Sequence, residues 1–312
     1  MTIIFFGSSE FSIPALQACL DSAHRIALVI TTPDQKKGRG LKVAPTVVKV
    51  FCQKNGIPVE SPGNLKDPQM IDRVRALMPE LFVVSSYGKL IPSAWLKIPK
   101  ILSINVHPSL LPKYRGASPV NRPILDGESE TGVTIMEVTD KLDSGDIFAQ
   151  ERFPLDSKID AVVLSQALAD RSYHMLRKVL DQVAGGTLQR RVQQEGEASY
   201  AAKLTKEDGL LKFEDAAEVS ARKVRGLKPW PMSYFLFLNE PVLVLEAEPV
   251  KAAMAGIPGT LLAIEKNGAV DIATGNGVLK IYQVKPAGKK AMTAADFVHG
   301  RRLQPGFVFQ RV

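Results

Sequence analysis

The chain has 312 residues, which predicts about two domains, and its 45% hydrophobic and 23% charged residues are typical of a globular protein that can build a real core. It shows no apolar run near the ~18 residues of a transmembrane helix, no signal-peptide pattern and only two cysteines, so we expect a cytoplasmic protein without a membrane anchor or a disulfide framework. The net charge of +8 fits a polyanionic partner such as nucleic acid, although many ordinary soluble proteins carry a similar charge.

Short apolar segments alternate with helical patterns through the first part of the chain. We expect buried strands at 2–6, 25–31, 57–59, 81–85 and 101–106, with helices after residue 10 and at 46–55 and 67–78. This order predicts an α/β fold built on a Rossmann-like, doubly wound, mostly parallel sheet. The first strand runs into Gly7-Ser-Ser-Glu10 rather than Gly-x-Gly-x-x-Gly, so a site for a nucleotide pyrophosphate is not supported.

A long basic loop is predicted after the second strand. Residues 32–45 exceed the roughly two to six residues that are usual between a strand and a helix. They carry Lys36, Lys37, Arg39 and Lys42 against Asp34, a net charge of +3. Such a loop can simply be solvated, or it can be a mobile arm that docks on phosphates or in a groove.

The strand at 101–106 ends in a polar pair. Asn105 and His107 are two residues apart and therefore point to one face of the strand, while Pro108 lacks an N–H and should end it. The pair would leave the carboxyl end of the strand, where open parallel sheets bind ligands. A carboxamide and an imidazole can both donate to an oxygen that becomes negative, and the ring can also move a proton. The pair therefore predicts an oxyanion site for attack on a carbonyl group.

A later acid and a proline-containing loop complete the predicted site. Asp143, in Lys141-Leu-Asp-Ser-Gly-Asp146, is the candidate to orient the His107 ring and to collect a proton from a nucleophile. The segment Pro108-Ser-Leu-Leu-Pro112 is stiffened by two prolines and can present an apolar wall to a flat ligand. The competing interpretations are that His107 only satisfies a carbonyl at the strand end and that Asp143 is only a turn residue.

The chain is predicted to divide after its longest helix, at 159–183, which Gly185-Gly186 ends. We assign residues 1–186 to a catalytic domain, the polar residues 187–207 to a linker and residues 208–312 to a C-terminal domain. The last domain has 14 Lys and Arg against 10 Asp and Glu, so it carries +4, half of the net charge.

The predicted C-terminal domain is mostly β. A helix at 215–227 precedes five expected strands, at 234–238, 242–247, 260–265, 269–274 and 278–284. Asn267-Gly268 and Asn276-Gly277 are strong hairpin turns. Five short strands with a helix predict an OB-like β-barrel, which frequently binds nucleic acid. Lys285, Lys289, Lys290, Arg301 and Arg302 could follow phosphates there, or could only be solvated.

Two long motifs connect the chain to a known family. Asn105-Val-His-Pro-Ser-Leu-Leu-Pro-Lys-Tyr-Arg-Gly116, followed by Leu142-Asp-Ser-Gly-Asp146, resembles the signature of the formyltransferases that use 10-formyltetrahydrofolate. The opening Phe6-Gly-Ser-Ser-Glu-Phe11 and Lys228-Pro-Trp-Pro231 also occur in family order. The resemblance therefore covers nearly the whole chain.

The resemblance implies roles for individual residues. Asn105, His107 and Asp143 match the catalytic trio of the family, and the segment matching Ser109, Leu110, Leu111 and Pro112 lines the folate site. In the members that act on initiator tRNA, a basic loop enters the acceptor arm, and Arg39 matches the arginine that contacts it. The implied reaction is formyl transfer from 10-formyltetrahydrofolate to the α-amino group of methionine on initiator tRNA, in translation initiation.

Several alternatives remain open at this point. The nearest is a sugar-nucleotide formyltransferase, since Tyr114-Arg-Gly-Ala-Ser-Pro119 occurs in both kinds; the basic loop and the basic C-terminal domain favour tRNA. A glycinamide-ribonucleotide formyltransferase would not need the second domain, and a formyltetrahydrofolate hydrolase would use water instead of the amine. A non-catalytic nucleic-acid binder would not need Asn105, His107 and Asp143 together. The four histidines are scattered and no metal motif is present, so we expect no metal, and we expect a monomer.

Overall fold

The computed structural model describes residues 1–37, 42–251 and 256–309. By contacts between Cα atoms, these residues fall into two compact units. The N-terminal unit consists of residues 1–119, 130–154 and 164–202, and the C-terminal unit consists of residues 120–129, 155–163 and 203 onwards. The domain boundaries expected at residues 186 and 208 stay predictions.

The first two-thirds of the chain contain eleven described strands. They are β1 (Thr2–Gly7), β2 (Arg25–Ile30), β3 (Gln35–Lys37), β4 (Lys42–Ala44), β5 (Val59–Glu60), β6 (Leu81–Ser85), β7 (Leu102–His107), β8 (Arg115–Gly116), β9 (Glu130–Glu137), β10 (Ile147–Pro154) and β11 (Tyr200–Ala201). Of these, β1, β2, β5, β6 and β7 lie close to the predicted ones. The helices of the same part are α1 (Ser12–Leu20), α2 (Val47–Lys54), α3 (Pro68–Ala76), α4 (Ser93–Leu96), α5 (Asn121–Asp126) and α6 (Ala161–Ala184).

A seven-stranded sheet forms the centre of the N-terminal unit, in the order β10-β9-β7-β6-β1-β2-β5. The five strands from β7 to β5 are parallel, and β9 and β10 continue the sheet in antiparallel fashion. The chain builds outward from β1 in one direction and then, from β6, in the other, which is a doubly wound order. The predicted Rossmann-like, mostly parallel sheet is therefore confirmed.

The central strands are buried on both faces. Every residue of β6 is buried, and so is every residue of β1 from Ile3 to Gly7, while Thr2 at the start of β1 is half-buried. This is expected for parallel strands covered by helices on both sides. On one face, Phe6 packs against Phe82, with ring centroids 5.2 Å apart, and against Trp95 of α4. The parallel pairing of β1 with β6 and of β6 with β7 places the carboxyl ends of these three strands at one edge of the sheet.

The described residues of the predicted basic loop include a pair of short strands. Residues 35–37 and 42–44 pair as the antiparallel strands β3 and β4, which the sequence did not suggest. Lys49 Nζ lies 2.8 Å from Asp34 Oδ1 at the base of this pair of strands. Arg39, the predicted tRNA contact, lies outside the described residues.

The C-terminal unit combines two helices with an antiparallel sheet. Its remaining elements are α7 (Ala217–Gly226), β12 (Ser233–Phe237), β13 (Glu240–Val250), β14 (Leu261–Ile264), β15 (Val270–Ala273), β16 (Val278–Pro286), β17 (Met292–Thr293) and α8 (Ala294–His299). The strand order is β12-β13-β16-β15-β14, with β17 paired to β16. The C-terminal domain that was predicted as an OB-like β-barrel is confirmed as a domain built on an antiparallel sheet. Both Asn-Gly pairs lie between paired strands as expected.

Aromatic side chains fill the core of this unit. Phe235 lies 5.2 Å from Phe309 and 6.0 Å from Phe297 between ring centroids, and all three are at most 3% exposed. Helix α5 joins the same unit, because Asn121 Nδ2 donates to Gly226 O at 2.7 Å. Helix α5 begins at Asn121, so Pro119 precedes the helix.

Both cysteines are buried free thiols, as predicted. Burial raises the pKa of Cys19 in α1 and raises that of Cys52 in α2 to about 11. Because the thiolate is the reactive form, we expect neither to react with a thiol reagent at about pH 8 unless the protein is unfolded. A chromogenic disulfide reagent, applied with and without denaturant, measures this; rapid labelling of the native protein would contradict it. Because burial raises both thiol pKa values, the neutral buried thiols contribute to the free energy of unfolding. This contribution is fully present below the thiol pKa of the unfolded chain and is lost as the pH rises through the thiol pKa of the folded protein.

Candidate active site

The predicted polar pair leaves the carboxyl end of β7. Strand β7 lies between β6 and β9, with Asn105 opposite Val84 and Met136, and His107 opposite Thr134. The strand ends at His107, where Pro108 supplies no N–H for a further pairing. The Asn105 side chain is partly exposed, and its carboxamide has no hydrogen-bond partner in the described part of the chain. That carboxamide is therefore available to a ligand at the sheet edge.

The imidazole of His107 is 4% exposed and has a partner on each nitrogen. Its Nε2 lies 2.9 Å from the backbone oxygen of Tyr114, and its Nδ1 lies 3.7 Å from Asp143 Oδ2. A carbonyl oxygen can only accept, so Nε2 carries a proton. His107 therefore contacts a backbone carbonyl, as the purely structural interpretation expects, and on its other side it also faces the predicted acid, Asp143.

Asp143 reaches His107 from a tight turn between β9 and β10. Its φ of 48° is left-handed, a conformation that Asp tolerates better than most residues. Its Oδ2 also accepts a hydrogen bond from the Gly116 N–H at 2.8 Å. Gly116 has a φ of 117°, and a Cβ there would lie 2.9 Å from Ala201 O, so a larger residue does not fit. The carboxylate is consequently held by backbone on one side and faces the ring on the other.

The loop after His107 is fixed by its own hydrogen bonds. Ser109 is fully buried, and its hydroxyl donates to Lys113 O at 2.7 Å. Leu111 is 3% exposed, while Leu110 and Pro112 are partly exposed. The Ser109 and Leu111 side chains therefore face the protein, and the loop offers a ligand mainly Leu110, Pro112 and its backbone.

Thr134 of β9 anchors this loop, although no motif in the sequence singles it out. Its hydroxyl donates to Ser109 O at 2.7 Å and accepts from Leu111 N at 3.2 Å and from Gln150 Nε2 at 3.0 Å. One donor and two acceptor positions of a hydroxyl are then all used. Gln150 also donates to Leu111 O at 2.8 Å. These partners are 16 to 39 residues apart in the chain, so only the register of β9 against β7 and β10 reveals them.

Among the described residues, no helix is long and apolar enough to cross a membrane. Nowhere in the ranges given above do three His, Cys, Asp or Glu side chains come together as a metal site would need.

Known proteins resemble this chain over almost its full length. A family model described as "Formyl transferase" matches residues 1–180, and one described as "Formyl transferase, C-terminal domain" matches residues 203–302. A methionyl-tRNA formyltransferase of Thermus thermophilus is 40% identical over 306 residues, 98% of each chain. One from Syntrophomonas wolfei is 38% identical over 307 residues, again 98% of each chain.

Solved structures share the fold at much lower identity. WlaRD, a sugar 3N-formyl transferase crystallised with dTDP and 5-N-formyl-THF, aligns with a TM-score of 0.67 and 18% identity over 93% of this chain and 99% of its own. HypX from Aquifex aeolicus in complex with tetrahydrofolic acid gives a TM-score of 0.62 at 18% identity, over 95% of this chain and 46% of its own. This chain thus spans about half the length of HypX. The chain belongs to the formyl transferase family, and within it to the methionyl-tRNA formyltransferases.

Proposed function

We propose that this protein transfers the formyl group of 10-formyltetrahydrofolate to the α-amino group of methionine on initiator tRNA, and that Asn105, His107 and Asp143 carry out the chemistry. The observation that carries the assignment of these residues is their convergence at one sheet edge. A free carboxamide, an imidazole and a carboxylate come from residues up to 38 positions apart, with Asp143 Oδ2 at 3.7 Å from His107 Nδ1. Formyl transfer to an amine needs such a set, because an oxyanion forms and a proton must leave the amine.

The donor fits the loop that follows the catalytic strand. Leu110 and Pro112 are partly exposed beside His107, so they offer apolar surface to a flat ring system, and the loop is already ordered by its internal hydrogen bonds. The Asn105 amide, which no described residue engages, can donate to the formyl oxygen. Ser109 and Leu111 support this wall from behind, since both are buried.

The reaction moves one proton and exchanges one carbon–nitrogen bond for another. The neutral amine of methionine attacks the formyl carbon, forming the new C–N bond while the C=O electrons become an oxyanion. Asn105 donates to that oxyanion. His107 adds a second donor as an imidazolium, because Nε2–H is bound to Tyr114 O and the Asp143 carboxylate beside Nδ1 favours a second proton on that nitrogen. Asp143 receives the proton of the amine, directly or through water. The carbonyl then re-forms, the bond to folate N10 breaks, and N10 takes up the proton that Asp143 received, which restores the carboxylate. Holding both substrates in one site lowers the entropic part of the barrier.

The acceptor is assigned to tRNA rather than to a sugar nucleotide. The relatives that are 35% to 40% identical are named methionyl-tRNA formyltransferases, whereas the sugar formyltransferases match at 15% to 18% identity. The net charge of +8 also favours a polyanion. We propose that Arg39 in the basic loop contacts the acceptor arm and that the C-terminal domain, from residue 208, binds further phosphates. We further propose that the enzyme acts as a cytoplasmic monomer, which light scattering of the purified protein would test.

One assay tests the proposed function. The protein is incubated with 10-formyltetrahydrofolate and methionyl initiator tRNA, and the aminoacyl product is analysed for formylmethionine. A second reaction offers a dTDP-amino sugar, and a third contains no acceptor, so that release of formate would report a hydrolase. Formylmethionine in the first reaction alone is the expected result. Formylation of the sugar, or formate release at the same rate without tRNA, would replace this proposal by one of its rivals.

A further inference from the structure

We infer that Gln193 is a positioning residue for this reaction: its carboxamide, oriented by the buried Arg115, holds the turn at 143–145 so that Asp143 faces His107. Gln193 lies in the polar stretch interpreted from the sequence as a linker and belongs to no motif noted there. It is nevertheless 6% exposed. The inference rests on the proposed role of Asp143.

Gln193 holds the Asp143 turn through two backbone carbonyls. Its Nε2 donates to Asp143 O at 3.0 Å and to Gly145 O at 2.7 Å. Both carbonyls belong to the turn that carries the carboxylate, so the contact fixes the backbone of Asp143 rather than its side chain. The Gly116 N–H donates to Asp143 Oδ2 in addition. Asp143 is therefore constrained both at its main chain and at its carboxylate.

Arg115 determines which way the Gln193 amide points. Arg115 Nε and Nη2 donate to Gln193 Oε1 at 3.2 and 2.9 Å, and Arg115 itself is 1% exposed. A guanidinium can only donate, and a carbonyl can only accept. If the Gln193 amide were rotated by 180°, its NH2 group would face the Arg115 donors and its oxygen would face the carbonyl oxygens of Asp143 and Gly145. The amide therefore has one favourable orientation, the one in which both of its hydrogens serve the Asp143 turn.

The charge of Arg115 is balanced on its other side. Arg115 Nη1 and Nη2 each lie 3.0 Å from an oxygen of Glu195, whose side chain is 70% exposed. The hydrogen bond from Arg115 lowers the pKa of Glu195, so the pair stays ionised at neutral pH. A bidentate Arg–carboxylate pair has a defined geometry. It gives Gln193 a rigid support within the same N-terminal unit.

The turn needs this support because its backbone conformation is uncommon. Asp143 adopts a positive φ, which for a residue other than glycine costs free energy and persists only where the surroundings hold it. At Gly145 a Cβ would lie 2.2 Å from Glu137 O, so the turn also lies close against β9. Without the two hydrogen bonds from Gln193, the turn can relax, and even a 1 Å displacement of a catalytic group can cost about 10²-fold in rate.

A double-mutant cycle separates positioning from general stability. The variants are Gln193→Met, Asp143→Asn and the double variant, with Gln194→Met as the matched control, because Gln194 is the exposed neighbour of the same residue type. Gln193→Met keeps the length of the side chain and removes both hydrogen-bonding groups. Formylation of methionyl initiator tRNA is measured as kcat and as KM for each substrate, and thermal unfolding is recorded for every variant.

The expected result is a loss that depends on Asp143. We expect Gln193→Met to lower kcat about 10- to 100-fold in the wild-type background and less than about 3-fold when Asp143 is already Asn, with KM for both substrates nearly unchanged. Gln194→Met should behave as wild type. A second variant, Gln193→Glu, keeps an acceptor for Arg115 but faces the two carbonyls without donors, and should show the same dependence on background even if Gln193→Met folds poorly.

Three outcomes would overturn the inference. An equal loss in both backgrounds would mean that Gln193 only stabilises the fold, and a wild-type rate for both Gln193 variants would mean that the contact has no role in turnover. If Asp143→Asn itself turns over like wild type, the proposed catalytic role of Asp143 fails and there is nothing for Gln193 to position. That third outcome is distinguishable because it appears in the single Asp143 variant.

Discussion

Asn105→Ala is expected to lower the turnover of formyl transfer about 10²- to 10³-fold, the usual effect of removing one oxyanion donor. The Asn105 amide has no hydrogen-bond partner among the described residues, so the substitution removes no hydrogen bond from the folded protein. The main effect of Asn105→Ala is the loss of one hydrogen-bond donor to the oxyanion. We therefore expect kcat to fall while the dissociation constant of the folate donor and the melting temperature stay close to those of wild type.

His107→Ala should lower turnover at least as much, because the ring supplies a donor and also takes part in proton movement. This variant loses a buried hydrogen bond to Tyr114 O as well, so some loss of stability is expected. Asn105→Ala is thus the cleaner experiment, and His107→Ala is interpreted with its unfolding curve beside it.

Ser103→Ala is the matched control for both substitutions. Ser103 lies on the same strand and the same face, two residues before Asn105, and its buried hydroxyl has no hydrogen-bond partner in the structure that is described. Removing it should leave kcat unchanged.

Rapid single-turnover measurements with saturating donor and methionyl initiator tRNA give the rate of the chemical step. Unchanged turnover in Asn105→Ala or in His107→Ala would defeat the assignment of the site.

The sequence predicted the parts of the site that depend on local spacing. The two-residue separation of Asn105 and His107, the following Pro108 and the apolar strand were sufficient to place both side chains at a sheet edge. The mostly parallel sheet followed from the alternation of strands and helices, and the C-terminal strands followed from the Asn-Gly turns. Asp143 was a candidate because it is a short acid in a glycine-containing loop between two apolar segments. The structure places the first of these segments, β9, directly beside β7.

The parts that the sequence did not predict depend on contacts between distant residues. Thr134 lies in a strand and Gln193 lies in a polar stretch of the chain. Nothing in the local sequence distinguishes either residue from neighbours that are exposed to solvent. Their roles follow from pairings across 25 and 50 residues of chain. Similarly, the motif named Ser109 and Leu111, but only the fold shows that their side chains turn inward. Local pattern thus selects the reacting groups, whereas the residues that hold them are identified by tertiary register.

Thr134→Val is expected to weaken binding of the formyl donor more than it slows the chemical step. Valine keeps the shape of threonine and removes only the hydroxyl, which leaves the Ser109 carbonyl and the Leu111 N–H without their partner in a buried position. An unsatisfied buried group costs about 1–3 kcal/mol, so the loop will shift to regain partners. Because Leu110 and Pro112 belong to that loop, the apolar wall moves with it. We expect KM for 10-formyltetrahydrofolate to rise about 10-fold, with a lower melting temperature.

Thr131→Val, on the same strand, is the control that makes this result specific. The Thr131 hydroxyl is also buried, at 2% exposure of the residue, but no described residue bonds to it. Its removal takes away an unpaired polar group, so we expect unchanged KM and equal or higher stability. Titration of donor binding by intrinsic fluorescence, with steady-state kinetics at saturating tRNA, measures both variants. If Thr134→Val binds the donor as tightly as wild type although its loop has lost these bonds, the folate does not lie along residues 109–112. The folate would then bind on the other side of Asn105, where β6 ends beside β7.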